Sequence, residues 1–154
     1  GPVQINFAKS MSPINIQDVT ITRQARTTID RKESGETEMG RKSVIPYALY
    51  RAEGYISAAQ ANKITDMTEE DVNLLWQAIL NMFEEDHSAA RGKMCTRKLF
   101  IFRHDAVLGN CPSHVLFDKI VVKEKDGGLV PRAFTDYEIT VDTTMPEGVE
   151  LICR

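Results

Sequence analysis

Three histidines are the first candidates for chemistry. His104-Asp105 with His114 ten residues on could begin a zinc site, but such a site needs three or four ligands, and a strand-end His with a loop His supplies two. They read more simply as polar residues at strand ends. His87, Ser88 and Arg91 could supply the base and phosphate clamp of an endoribonuclease, which must all reach one bond; residues at a helix terminus are the plainer account. "DGGLVPR" has neither a following helix nor a Walker lysine, so no phosphate loop is present there. A better-founded signal lies in "MGRKSVIPYALYRAEGYISA", where Arg41, Lys42, Tyr47, Tyr50 and Arg51 share one stretch. Arg and Lys neutralise phosphates, and Tyr can stack on unpaired bases. The same residues also fit core aromatics flanked by solvated bases, and residue types alone leave both readings open.

The charge distribution bears on that choice. The net charge of −3 does not advertise a nucleic-acid binder. Residues 66–86 nevertheless carry Asp66, Glu69, Glu70, Asp71, Glu84, Glu85 and Asp86 with no Lys or Arg. Residues 87–104 carry Arg91, Lys93, Arg97, Lys98 and Arg103 with no acid, and a second basic concentration runs from Arg23 to Arg51. The average hides two basic zones and an acidic helix. Cys95, Cys111 and Cys153 are widely spaced with no Cys-x-x-Cys pairing, which predicts reduced thiols and neither a disulfide framework nor a zinc site. No apolar run approaches the ~18 residues of a membrane span, and a cytoplasmic protein with no cofactor is expected. The opening Gly-Pro, in place of methionine, reads as a protease scar or the edge of a fragment.

The elements that must position these residues follow from periodicity. At 154 residues one domain is expected. "GPVQINFAKS" and "DVTITRQART" alternate as strands, "IDRKESGETEMG" is polar and aperiodic and so a loop or hairpin tip, and the tyrosine-bearing stretch resumes as a strand. Within it Tyr47 and Leu49 share a face and Tyr50 lies opposite. A short helix is expected over 57–64. A long one starts at Thr68 as cap, with Asp71 three residues on. Its Val72, Leu75, Trp76, Ile79, Met82 and Phe83 form one apolar face that reads as core, where Trp76→Ala would cost roughly 3–5 kcal/mol. Arg91 or Lys93 is the expected partner of the acids Glu84, Glu85 and Asp86. "CTRKLFIFRHD", apolar on both faces, reads as a central strand; "HVLFDKIVVKEK" as another; "KDGG" as a turn; "DYEITVD" and "MPEGVELICR" as closing strands. Mostly antiparallel strands with one major helix predict an α+β fold.

The stretches "MGRKSVIPYALYRAEGYISA", "LLWQAILNMFEEDHSAARGKM", "LFIFRHDAVLGN", "FTDYEITVD" and "MPEGVEL", in that order, resemble the backbone subunit of the type I-C (Dvulg subtype) CRISPR interference complex, of the Cas-seven superfamily. The resemblance covers essentially the whole chain and matches the C-terminal half of that subunit. It implies a modified RNA-recognition-motif (ferredoxin-like) palm with an inserted β-hairpin thumb over 19–44. The palm is incomplete because the N-terminal half is absent, so residues 1–154 form a single domain fragment. Unpaired sheet edges would then invite strand exchange or augmentation in a dimer.

The implied function is a non-enzymatic CRISPR RNA-binding backbone subunit, without metal, that polymerises along the guide and presents its bases. Its partners would be CRISPR RNA, copies of itself, other Cascade subunits and target DNA through the guide, with no membrane. The candidate RNA contacts are Arg23, Arg26, Arg41, Lys42, Tyr50, Arg51, Arg91, Lys93 and Arg97. Ile29 and Met39 are the candidates for a thumb wedge that displaces a base. In that frame Gly40 lets the backbone turn, Pro46 sits where no ladder bond needs its N–H, and Tyr47 and Leu49 pack on the Trp76 helix. Two other readings stand beside it: a guide-processing endoribonuclease using His87 or His104, and a protein–protein module favoured by the acidic helix.

Overall fold

The computed structural model describes residues 1–23, 38–89, 92–125 and 129–154. It is an α+β arrangement of small antiparallel sheets and few helices. In chain order the elements are β1 (Val3–Ile5), β2 (Lys9–Ser10), β3 (Gln17–Arg23), β4 (Glu38–Val44), β5 (Tyr50–Arg51), β6 (Gly54–Ile56), α1 (Ala58–Gln60) running into a π-helical turn (Ala61–Thr65), α2 (Glu69–Asn81), β7 (Phe100–His104), α3 (Ser113–Phe117), β8 (Ile120–Glu124), a 3-10 turn (Phe134–Asp136), β9 (Tyr137–Val141) and β10 (Val149–Cys153). The "KDGG" turn extends into undescribed residues.

Three of the five strand pairs make one long interrupted ribbon. β1 pairs with β6 from Val3↔Ile56, β2 with β5 from Lys9↔Arg51, and β3 with β4 from Gln17↔Val44, all antiparallel. Between the first two pairs, residues 6–8 face 52–53, and between the second and third, residues 11–16 face 45–49. Each break thus inserts one extra residue, both times in the N-terminal strand, as a β-bulge does. Single backbone bonds bridge the breaks, Asn6 N–H to Glu53 O at 2.8 Å and Met11 N–H to Leu49 O at 2.8 Å. Pro46 falls inside the second break, where no ladder donor is needed. Gly40, by contrast, is not a turning point: it sits inside β4 opposite Ile21, as regular strand.

The remaining strands form two pairs. β8 and β9 pair over Ile120↔Val141 to Glu124↔Tyr137, with Tyr137, Ile139 and Val141 turned inward as their alternation dictates. β7 pairs with β10 alone among the described strands, so the apolar run Phe100–Phe102 is not the central strand its sequence suggests; its side chains are half-buried. The second correction concerns His114 to Phe117. This apolar run reads as strand but forms α3, because Arg51, distant in sequence, donates from Nη2 to Phe117 O and from Nη1 to Ile120 O, both at 2.7 Å. Those bonds satisfy the Phe117 carbonyl at the helix end and the Ile120 carbonyl at the start of β8.

Among the described residues the buried apolar side chains are Leu116, at 1% exposure, Ile120, Tyr137 and Ala61. Phe117 extends this knot, meeting Tyr55 of β6 edge-on at 5.6 Å and Phe102 of β7 at 6.4 Å. Helix α2 begins with a full capping box: Thr68 Oγ1 accepts from Asp71 N–H, and Asp71 Oδ2 accepts from Thr68 N–H at 2.8 Å. The Thr68 N–H, and after it the Thr68 hydroxyl donating to the same oxygen at 2.8 Å, holds the Asp71 carboxyl below its usual range. Its Trp76 face, expected as core, is only half-buried, and Met82 is exposed. The reason is geometric: too little of the chain covers it. The whole chain exposes 11802 Å², about half as much again as the ~7,800 Å² of a compact monomer of its mass.

Candidate nucleic-acid interface

Alternation along β3 and β4 sorts the candidate residues onto two faces. Met39, Arg41 and Ser43 lie opposite Thr22, Thr20 and Asp18. Residues directly opposite share a face of an antiparallel pair. Lys42 lies opposite Val19, and Gly40 opposite Ile21, on the other face. Arg41 and Lys42, adjacent in sequence, therefore point to opposite sides and cannot both meet one phosphate run along a flat ribbon. The Arg41 face is exposed throughout and carries Met39, 76% exposed, between hydroxyl-bearing neighbours. Ser43 Oγ donates to Asp18 Oδ1 at 2.6 Å, which occupies the one acid on that face of the described ribbon.

The ribbon is anchored where its second break occurs. Tyr137 of β9 holds both strands there: its hydroxyl bonds Ser12 Oγ at 2.7 Å, and its ring meets Tyr47 at 6.4 Å between centroids. Tyr47 thus packs on Tyr137. Burial, and after it Tyr137, raises the Tyr47 phenol above its ordinary value, while Arg97 pulls it back. Arg97 itself lies 4.4 Å over the Phe134 ring, a cation–π contact that leaves much of its guanidinium fork facing solvent. Thr96 beside it donates from Oγ1 to Ile79 O at 2.7 Å, fixing the segment to the end of α2. On the other side the Asp136 carboxylate accepts from Arg132 N–H at 2.8 Å and Ala133 N–H at 2.9 Å, closing the turn that carries Phe134. Those two bonds hold the Asp136 carboxyl below its usual range, the Arg132 bond first.

The other candidates fall as follows. Arg26, Ile29 and Arg91 lie outside the described residues, and Arg23 closes β3 opposite Glu38. Lys93 is exposed and follows Gly92, whose φ of +57° suits glycine at that bend. Tyr50 is exposed in β5, opposite Ser10. Arg51 is occupied: besides its two carbonyl bonds it pairs with Glu53 at 2.9 Å, so it braces the fold. His104 is likewise engaged, its Nδ1 accepting from Asn110 N–H at 2.9 Å in the loop after β7. Among the described residues no three His, Cys, Asp or Glu side chains gather as a metal site would require. Sequence reasoning did not single out Phe134, Ser12 or Thr96, and read Tyr137 only as one of an alternating face with Ile139 and Val141. Their roles arise from contacts that join distant segments, and no local pattern announces them.

The β3–β4 ribbon thus presents Arg41 with exposed methionine and hydroxyl side chains on one face, and is rooted on an aromatic cluster that carries a further arginine. The chain matches the family model for CRISPR-associated protein Cas7 over residues 1–142 and belongs to that family. Membership makes it a CRISPR-associated backbone subunit of an interference complex, in a family that is in general structural and not enzymatic. No curated protein matches it. Among the described residues no helix is long and apolar enough to cross a membrane.

Proposed function

We propose that this chain is a type I-C backbone subunit that binds CRISPR RNA in the cytoplasm, with a palm of the RNA-recognition-motif type and the β3–β4 ribbon as part of its thumb. Copies polymerise along the guide, contact other Cascade subunits and present guide bases for pairing with target DNA. The observation that supports this reading best is the exposed face bearing Arg41 and Met39 together. Arg41 would meet guide phosphate, with Met39 as an apolar wedge against a base. Arg97 and Lys93 would extend the cationic track, and Tyr50 would offer a stacking surface. Arg51 has no place among these contacts, since its guanidinium braces α3 and β8.

The test is salt dependence of guide binding. Arg41→Ala should weaken binding similarly for guides of different sequence and flatten the slope of log K against log salt by up to ~0.7–0.9, one phosphate contact. Lys42→Ala, on the opposite face, should leave the slope nearly unchanged. Equal effects of the two substitutions would sink the assignment of that face.

A further inference from the structure

The loop that follows β7 is closed by one histidine. His104 ends the strand half-buried, opposite Val149 of β10, and its Nδ1 accepts from Asn110 N–H at 2.9 Å. Asn110 in turn accepts at Oδ1 from Ala106 N–H at 3.1 Å, and Gly109 N–H donates to Ala106 O at 2.9 Å. Gly109, at φ +84°, turns its open side to the imidazole: a Cβ there would sit 3.6 Å from Nδ1. Behind the loop Asp105 N–H donates to Gly148 O at 3.0 Å, and a side chain on Gly148 would strike those of Asn110 and Asp105. Residues 105–110 thus form a closed cage whose tip carries Val107, 56% exposed, and Leu108, 93% exposed.

We propose that His104 is a proton-operated latch on this loop. Its bond to Asn110 exists in one protonation state only. An accepting Nδ1 needs its lone pair, so the neutral ring carries its proton on Nε2. When the ring gains a second proton, Nδ1 becomes a donor facing the Asn110 N–H, another donor, and the bond is lost. Histidine is the side chain whose charge changes between about pH 5 and 8, so closure is present above that range and disappears as pH falls through it. The titratable groups around the ring are Asp105 and Cys111, which flank the loop, and Glu147 in the turn before β10. Arg103 and Glu150 pair with each other at 3.7 Å and, by alternation, lie on the other face of the two strands. Asp105 and Glu147 attract a positive ring, whereas the Asn110 bond admits only a neutral one, so protonation and loop closure compete. With the latch closed, Val107 and Leu108 are held as a rigid apolar contact point, which binds at a lower entropy cost than a mobile one. With it open, the tip moves freely. The device belongs to β7 and β10 and lies outside the β3–β4 ribbon.

Proton–nitrogen correlation NMR of the chain from about pH 8 down to about 5.5, above the ordinary carboxylate range, tests it. The Asn110 and Ala106 amides should shift together, with the midpoint of the His104 ring protons and not that of His87 or His114, the other two histidines. Exchange of the Asn110 amide, corrected for its intrinsic pH dependence, should be at least about tenfold less protected at the acid end. His104→Gln does not titrate in this window and should abolish the transition. His104→Phe keeps a ring but offers no acceptor, so it should show the open-loop shifts already at the alkaline end, with wild-type circular dichroism. Asn110 and Ala106 amides that stay fixed while His104 titrates would overturn the latch. So would closed-loop shifts in His104→Phe, or an acid transition that persists at Asn110 in His104→Gln.

Discussion

The outer ribbon and the knot around Leu116 are built on opposite plans. In β3 and β4 order comes from a seven-rung backbone ladder, Gln17↔Val44 to Arg23↔Glu38, with no fully buried side chain among those described. In the knot, Leu116, Ile120 and Tyr137 are buried, and Arg51 ties two carbonyls from another part of the chain. The ladder gives the ribbon shape with little hydrophobic stabilisation, while the knot holds its geometry without a partner. A surface that adapts to what it meets is better served by the first plan, a platform by the second.

Truncating the knot breaks that contrast most severely. Leu116→Ala should lower unfolding stability by about 2–5 kcal/mol, read by denaturant titration, whereas Ile21→Ala in the ribbon should stay within ~0.5 kcal/mol. Comparable losses would mean that the ribbon has a core of its own. Arg51→Met ranks next. It keeps the aliphatic stem but strands Phe117 O and Ile120 O, and each half-buried carbonyl left without a donor costs about 1–3 kcal/mol. Guide binding normalised to folded protein should be unchanged by it, which separates a brace from an RNA contact.

The smallest effect is acid-dependent. Asp142 Oδ2 accepts from Lys119 Nζ at 2.7 Å, where Lys119 O also accepts from Asp142 N–H, closing the β8–β9 end. The Lys119 bond, then the Thr144 N–H, lowers the Asp142 carboxyl from its ordinary 3.8 to about 2. Because the folded carboxyl titrates below the unfolded one, its contribution is complete above the ordinary value and disappears as pH falls toward about 2. Lys119→Met should remove most of this loss between those limits, measured as unfolding midpoint against pH. An unaltered acid limb would rule the pair out as its source.

The parts legible in the sequence were those governed by neighbours along the chain. Thr68 and Asp71 announced the start of α2 by spacing, and Tyr137, Ile139 and Val141 announced the inward face of β9 by alternation. The misreadings share a cause. α3 is apolar enough to read as strand, and the contact that favours its helix comes from Arg51, over sixty residues away. Arg51 looked available because its type suits phosphate, and only the folded chain brings it to Phe117 and Ile120. The Trp76 face looked like core because periodicity shows that a face is apolar, not what covers it. Arg41 and Lys42 were legible as cations, but which residues share a face with each needed the register.

That register has a consequence for insertions and deletions. The two breaks shift the pairing twice in the same direction, so odd residues of the first strand face even residues of the second both at Val3↔Ile56 and at Gln17↔Val44, with the opposite parity only between them. Removing one residue from 11–16, if the loss reached the tip, would place Val19 opposite Ser43 and Ile21 opposite Arg41. The composition would hardly change, yet the apolar stripe and the cationic stripe would merge onto one side. The ribbon thus depends on a reading frame of its own, in which single-residue changes scramble the two faces and compensating pairs restore them.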